Sequence, residues 1–140
     1  QILEVNGTGL ALFDYDNDDD LDLFVVNASN EPCRLYENVS VDSIVFVDVT
    51  EKLGIDIQGQ GWANGVAVGD VNGDGFDDVY ITYHGPNVLL INNNGKSFID
   101  QASLSGVGDS GWGTSARFGD LDKDGDLDNL LASVHRAPNK

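Results

Sequence analysis

Residues 61–82 read GWANGVAVGDVNGDGFDDVYIT, and this stretch decides the fold. Small and β-branched residues lead up to Asp70. A short run of Asp, Asn and Gly follows, and then a β-branched and aromatic run from Val79 to Thr82. Apolar runs of this length on either side of an Asx/Gly cluster predict a strand–loop–strand hairpin. The pattern recurs on both sides. Residues 5–14 (VNGTGLALFD) and 111–120 (GWGTSARFGD) align with 61–70, and they continue as YDNDDDLDLFVV and LDKDGDLDNLLA. The first Asp of each loop stands at 14, 70 and 120, which are spacings of 56 and 50 residues. A period near 50 built from short strands signals propeller blades or a related array.

The remaining runs complete the units. Arg34 to Tyr36 and Ile44 to Val49 follow the first hairpin, and Asn87 to Ile91 and Ser97 to Ile99 follow the second. Four short strands per unit is what a blade requires. The units are expected at about 5–60, 61–110 and 111–140, the last truncated. The expectation is an all-β chain of about two and a half four-stranded blades, an incomplete propeller within these residues. Asn92-Asn93-Asn94-Gly95 reads as a tight turn. The helix candidates are single turns such as Thr50 to Leu53, with Thr50 as a possible cap.

The charge has an equally local origin. The chain has 140 residues, with 24 Asp+Glu against 7 Lys+Arg and a net charge of −17. Fifteen of the acids fall in three nine-residue windows, 14–22, 70–78 and 120–128, where Lys123 is the only base. Those windows carry −14 and the rest of the chain −3. Carboxylates crowded in this way repel one another unless a cation neutralises them or some stay protonated. Such a balance excludes nucleic acid and anionic membrane surfaces as partners, since both need Lys/Arg clusters. No apolar run approaches the roughly 20 residues of a spanning helix. Cys33 stands alone, so no internal disulfide forms. The chain has no Met and opens on Gln1, as expected of a processed or excised piece.

Each window follows D-x-[DN]-x-D-G-x-x-D. The second supplies Asp70, Asn72, Asp74, Gly75 and Asp78, and the third Asp120, Asp122, Asp124, Gly125 and Asp128. The first supplies Asp14, Asp16, Asp18 and Asp22, with Asp19 in place of Gly. In a tightly curled loop, positions 1, 3 and 5 present oxygens to one centre. Position 7 offers a backbone carbonyl, from Asp20, Phe76 or Asp126, and position 9 closes the shell. Hard oxygen donors in a flexible loop select Ca²⁺ over Mg²⁺, which demands a tighter octahedron. Up to three Ca²⁺ are expected, one per loop. An EF-hand needs an acid at loop position 12, where this chain has Val25, Ile81 and Leu131 in strand-like runs, so that assignment fails.

These loops resemble the FG-GAP/VCBS repeats of integrin-α-like calcium-binding propellers. The likeness rests on Phe13-Asp14, Val68-Gly69-Asp70 and Phe118-Gly119-Asp120 with their loops, and on the Leu35 to Asn38 run. It covers roughly Gly9 to Arg136. The resemblance implies an extracellular or cell-surface propeller with structural Ca²⁺ between the first two strands of each blade. Family propellers have seven or eight blades, so a longer polypeptide or neighbouring copies are expected to complete this one.

On the face opposite the acidic loops the expectation is a recognition surface for a protein or glycan. It comprises Trp62 and Trp112 before the first strands, His84 and His135 after the second strands, and Arg117 on the innermost strand. Exposed Trp stacks on sugars or anchors partners; packing between blades is the alternative use for both. No catalytic constellation is present: no Gly-x-Ser-x-Gly elbow, no His-Glu-x-x-His and no phosphate-binding glycine loop. The chain is therefore expected to be a non-enzymatic binding or adhesion scaffold. The alternatives are an accessory part of a secreted polysaccharide-active enzyme and a self-assembling structural subunit. Sequons at Asn6, Asn27 and Asn38 fit a secreted glycoprotein.

Overall fold

The computed structural model of the chain describes residues 9–27, 32–55 and 61–134, which hold ten strands and no helix. Strands β1 (Leu10–Phe13), β2 (Asp22–Val25), β3 (Arg34–Asn38) and β4 (Phe46–Asp48) form one antiparallel sheet in sequence order. The next four, β5 (Ala63–Gly69), β6 (Asp78–Tyr83), β7 (Val88–Asn92) and β8 (Phe98–Asp100), repeat that order in a second sheet. A hairpin of β9 (Trp112–Gly119) and β10 (Asp128–Val134) follows. Two four-stranded meanders and the opening hairpin of a third are the blades of an incomplete propeller.

One register recurs in all three units. Phe13 pairs with Asp22, Gly69 with Asp78 and Gly119 with Asp128. The residue before the first Asp of each loop thus faces the last Asp, and each hairpin closes with an eight-residue loop. The break in pairing between Ala63 and Gly65 is matched by one between Ala132 and Ser133. The first places Asn64 so that its amide donates to the Gly113 carbonyl, 2.8 Å away, tying β5 to β9.

Side-chain alternation distributes the core between blades rather than within them. Phe13, Phe24, Leu35, Val49, Leu53 and Ile55 of the first unit pack against Val79, Ile81, Tyr83, Val88, Leu90 and Phe98 of the second. The opposite face of the second blade puts Ala67, Tyr80, Leu89 and Ala102 against Ala116, Phe118 and Leu131 of the third. Cys33 is buried, its sulfur 3.5 Å from the Tyr83 hydroxyl.

The segment after each fourth strand is a single turn that does not extend into a helix, and Thr50 does not cap it. The Thr50 hydroxyl accepts instead from the Leu35 N–H at 3.0 Å, which fastens the turn to β3. The chain then bends through Gly54 at φ +74°, with the Leu53 N–H on the Val49 carbonyl and the Ile55 N–H on the Thr50 carbonyl. The second unit repeats this with Ser105 on Gln101, Val107 on Ala102 and Gly106 at φ +70°. Only Gly can hold that conformation at no steric cost.

Candidate metal centre

The three acidic loops fold alike. Position 1 accepts backbone N–H groups from further along its own loop. Asp14 takes those of Asp18 and Asp19 at 3.1 and 2.9 Å. Asp70 takes those of Gly73, Asp74 and Gly75 at 2.8–3.1 Å. Asp120 takes those of Lys123 and Gly125 at 2.6 and 3.2 Å. Position 5 accepts from position 7: Asp18 from Asp20, Asp74 from Phe76 and Asp124 from Asp126. These bonds curl the backbone so that alternate side chains converge.

Curling needs left-handed backbone at two places. Position 6 has φ +72° at Asp19, +88° at Gly75 and +99° at Gly125. Asp19 thus adopts the strained conformation that the missing glycine implied. Position 4 is left-handed as well, at Asn17 (+61°), Gly73 (+72°) and Lys123 (+64°). The Asn and Gly at two of these positions are the available signal for this second bend, which the motif alone does not announce.

Position 9, expected to close the shell, is engaged by the backbone. Asp22 and Asp78 are buried, and each carboxylate bridges two backbone N–H groups. Asp22 takes those of Tyr15 (3.1 Å) and Asn38 (2.9 Å), and Asp78 those of Val71 (3.0 Å) and Asn92 (2.8 Å). Asp128 takes the Leu121 N–H at 2.9 Å. This residue ties the loop's second residue to the end of the third strand, a role that spacing alone does not reveal.

The inward oxygens make the cation case. One carboxylate oxygen from each of Asp14, Asp16 and Asp18 lies within 4.8 Å of the others, as for Asp120, Asp122 and Asp124. That span fits oxygens set about 2.3–2.6 Å from a common Ca²⁺. In the second loop Asn72 holds Asp74, its amide donating to the carboxylate at 3.0 Å and its carbonyl oxygen accepting the Asp74 N–H. Asp16 Oδ1 and Asp20 Oδ1 are buried without a hydrogen-bond partner. Buried polar atoms are rarely left unpaired, so these two can accept a cation or a water. The donor set, all hard oxygen, fits Ca²⁺.

Electrostatics point the same way. Burial, then the charges of Asp18, Glu37 and Asp14, raises the Asp16 pKa; burial, then Asp18, Asp14 and Glu37, raises that of Asp20. Burial pushes Asp22 up to about 6 against the pull of its two N–H donors. Asp78 is raised in the same way, and Asp77 by burial and the charges of Asp70 and Asp14. Each shift reflects first the cost of burying a charged carboxylate and then, to a smaller degree, its acidic neighbours.

The opposite ends of the strands carry the aromatic set. Trp62 precedes β5 and Trp112 opens β9, and seven residues separate each from its acidic loop. They are 37% and 44% exposed rather than buried between blades. His84 joins them: its N–H donates to the Trp62 carbonyl at 2.8 Å, and its ring meets Trp112 edge-on at 5.2 Å. Arg117 does not join this group. It pairs with Leu130 near the acidic-loop end of β9 and is exposed on the side opposite Ala116 and Phe118, where its counterparts Ala11 and Ala67 meet the next blade. His135 and Asn6 lie outside the described residues, as does the rest of the Asn27 sequon. The amides that glycosylation would use are engaged at Asn27, which donates to Pro32 at 2.7 Å, and at Asn38, which donates to Leu21 at 3.2 Å.

Among the described residues no helix is long and apolar enough to cross a membrane. No curated protein sequence matches the chain significantly. The FG-GAP-like repeat profile matches it twice, over residues 14–81 and 70–131, each match beginning at the first Asp of a loop. The two matches span most of the chain and cover the loops and blades described above, and the chain belongs to the FG-GAP-like repeat family.

Proposed function

We propose that this chain is a calcium-stabilised propeller segment, extracellular or at the cell surface, that serves as a binding or adhesion scaffold. The observation that carries this reading is the convergence of carboxylate oxygens in the first and third loops, on a loop fold that the second shares. In the first loop Asp16 Oδ1 and Asp20 Oδ1 are buried and unpaired. The first site would use Asp14, Asp16, Asp18, Asp22 and the main chain at Asp20. The second would use Asp70, Asn72, Asp74, Asp78 and Phe76, and the third Asp120, Asp122, Asp124, Asp128 and Asp126. A bound Ca²⁺ supplies positive charge to each cluster. The protein contributes loops curled in advance by their own hydrogen bonds, which lowers the ordering cost of binding.

The exposed Trp62, His84 and Trp112 support a recognition face at the other ends of the strands. One indole beside an imidazole, with a second exposed on the adjacent unit, suits a sugar ring or an apolar protein anchor. FG-GAP-like repeats are typically non-catalytic, which agrees with the scaffold role.

The test is a thermal melt in EDTA, then with Ca²⁺, then with Mg²⁺. Cation at a hundred times its Kd adds about 2.7 kcal/mol per site, so Ca²⁺ should raise Tm by ten degrees or more and Mg²⁺ far less. A folded chain whose Tm ignores Ca²⁺ would sink the proposal. A second reading, assembly with further blades, is favoured by Leu10 and Leu12, which are 61% and 55% exposed on the open face of the first blade. Light scattering at the end of the melt series separates a monomer from an assembly.

A further inference from the structure

The geometry points to the first and second acidic loops acting as a coupled pair of cation sites, joined by a bridge that the second and third lack, with Asn17 and Asn92 as the coupling residues. The inference rests on the calcium reading above and adds a connection between sites that the repeat motif does not contain.

Two bridges cross between the loops. Asn17 lies between Asp16 and Asp18, and its amide donates to the Gly75 carbonyl at 3.0 Å. Gly75 lies between Asp74 and Phe76 of the second loop, so this bond joins the ligand-bearing stretch of one loop to that of the other. Asn92 makes the second bridge from a fully buried position. Its amide donates to the Tyr15 carbonyl in the first loop (2.8 Å) and to the Asp77 carbonyl in the second (3.2 Å). Its own N–H holds Asp78, and its side-chain oxygen accepts the Gly95 N–H at 2.9 Å. Gly95 in turn sits against Asp16: a Cβ there would lie 2.8 Å from the Asp16 Cβ.

The second and third loops have no equivalent of the exposed bridge. The counterpart of Asn17 is Gly73, which has no side chain to reach Gly125. Among the described residues no hydrogen bond joins those two loops. Ordering the first loop around a cation therefore fixes Asn17 and Tyr15, and through them Gly75, Asn92 and Asp78. By linkage the second loop has the same effect on the first. The charge of a first cation opposes a second, but salt screens that term between exposed loops and leaves the hydrogen bonds in place.

The test is a Ca²⁺ titration at 0.15 M salt followed by amide NMR. The N–H groups of Asp19, Gly75 and Gly125 each donate to position 1 of their own loop and report one site apiece. In the native chain Asp19 and Gly75 should titrate together and more steeply than Gly125. Independent, shallow curves at Asp19 and Gly75 would overturn the coupling. Asn17→Gly removes the exposed bridge without changing charge, and glycine tolerates the left-handed backbone. It should raise the Ca²⁺ midpoint at Gly75 by about two- to tenfold, the worth of one such bond, and leave Gly125 unmoved. An unchanged Gly75 midpoint, or equal shifts at Gly75 and Gly125, would also overturn it. If no loop amide responds to Ca²⁺, the calcium reading itself falls and the coupling with it.

Discussion

The first and second blades share one strand order and one loop design but differ in what covers them. β6 is buried at every residue from Asp78 to Tyr83, whereas its counterpart β2 alternates between buried and half-buried. β4 is exposed throughout, whereas Phe98 at the start of β8 is buried. Residue type does not explain the contrast, since both strands of each pair are apolar. Neighbours do: the second blade lies between two others and the first has one open face. A blade is thus a two-faced element whose stability is completed from outside, as in repeat proteins generally.

The largest test of this contrast is a matched pair of truncations. Ile81→Ala should cost about 2–5 kcal/mol, the range for a fully buried aliphatic side chain. Its counterpart Val25→Ala should cost under about 1 kcal/mol, both read from urea unfolding. Equal costs would show that the open face is covered in solution. Next comes the buried Asn92 hub of the second blade. Asn92→Ala strands a buried Tyr15 carbonyl and should cost about 1–3 kcal/mol. Asn38→Ala, whose amide reaches Leu21 alone among the described residues, should cost roughly half as much.

A pH series probes the first loop. Asp22 has a folded-state pKa near 6 against about 3.9 unfolded. The folded state therefore holds the extra proton between these values, and stability falls as pH rises through 6. In EDTA the unfolding free energy from urea titrations should be higher at pH 5 than at pH 7, by about 1–2 kcal/mol. Saturating Ca²⁺ should reverse the sign, because protons then compete with the cation. A flat EDTA profile would mean the carboxylates are already compensated. The smallest effect concerns the residue that sets the first loop apart. Asp19→Gly relieves left-handed strain and should raise Tm by a few degrees, a gain of about 1 kcal/mol.

Most of the strand order was legible, because short β-branched runs alternate with Asx/Gly clusters. The loops were legible because an oxygen cage imposes a spacing on its ligands. Three features were not. The bridges by Asn17 and Asn92 span 58 and 77 residues, and nothing local marks an Asn as reaching another blade. The open face of the first blade carries the same residue types as the covered face of the second, so composition cannot distinguish them. Arg117 looked like part of the aromatic face because it shares a strand with Trp112. Five residues of strand place it near the other end, at a position where the earlier repeats carry Ala.

The Asn92 bridge also has a direction. It is supplied by the later unit and completes the loop of the earlier one, as does Gly95 where it closes over Asp16. During synthesis the first hairpin is therefore made long before its buttress. At about 5–20 residues per second, the ribosome needs roughly 4–15 s to go from Asp22 to Gly95. Throughout that interval the nascent first loop has its full complement of negative charge and lacks the Asn92 and Gly95 contacts.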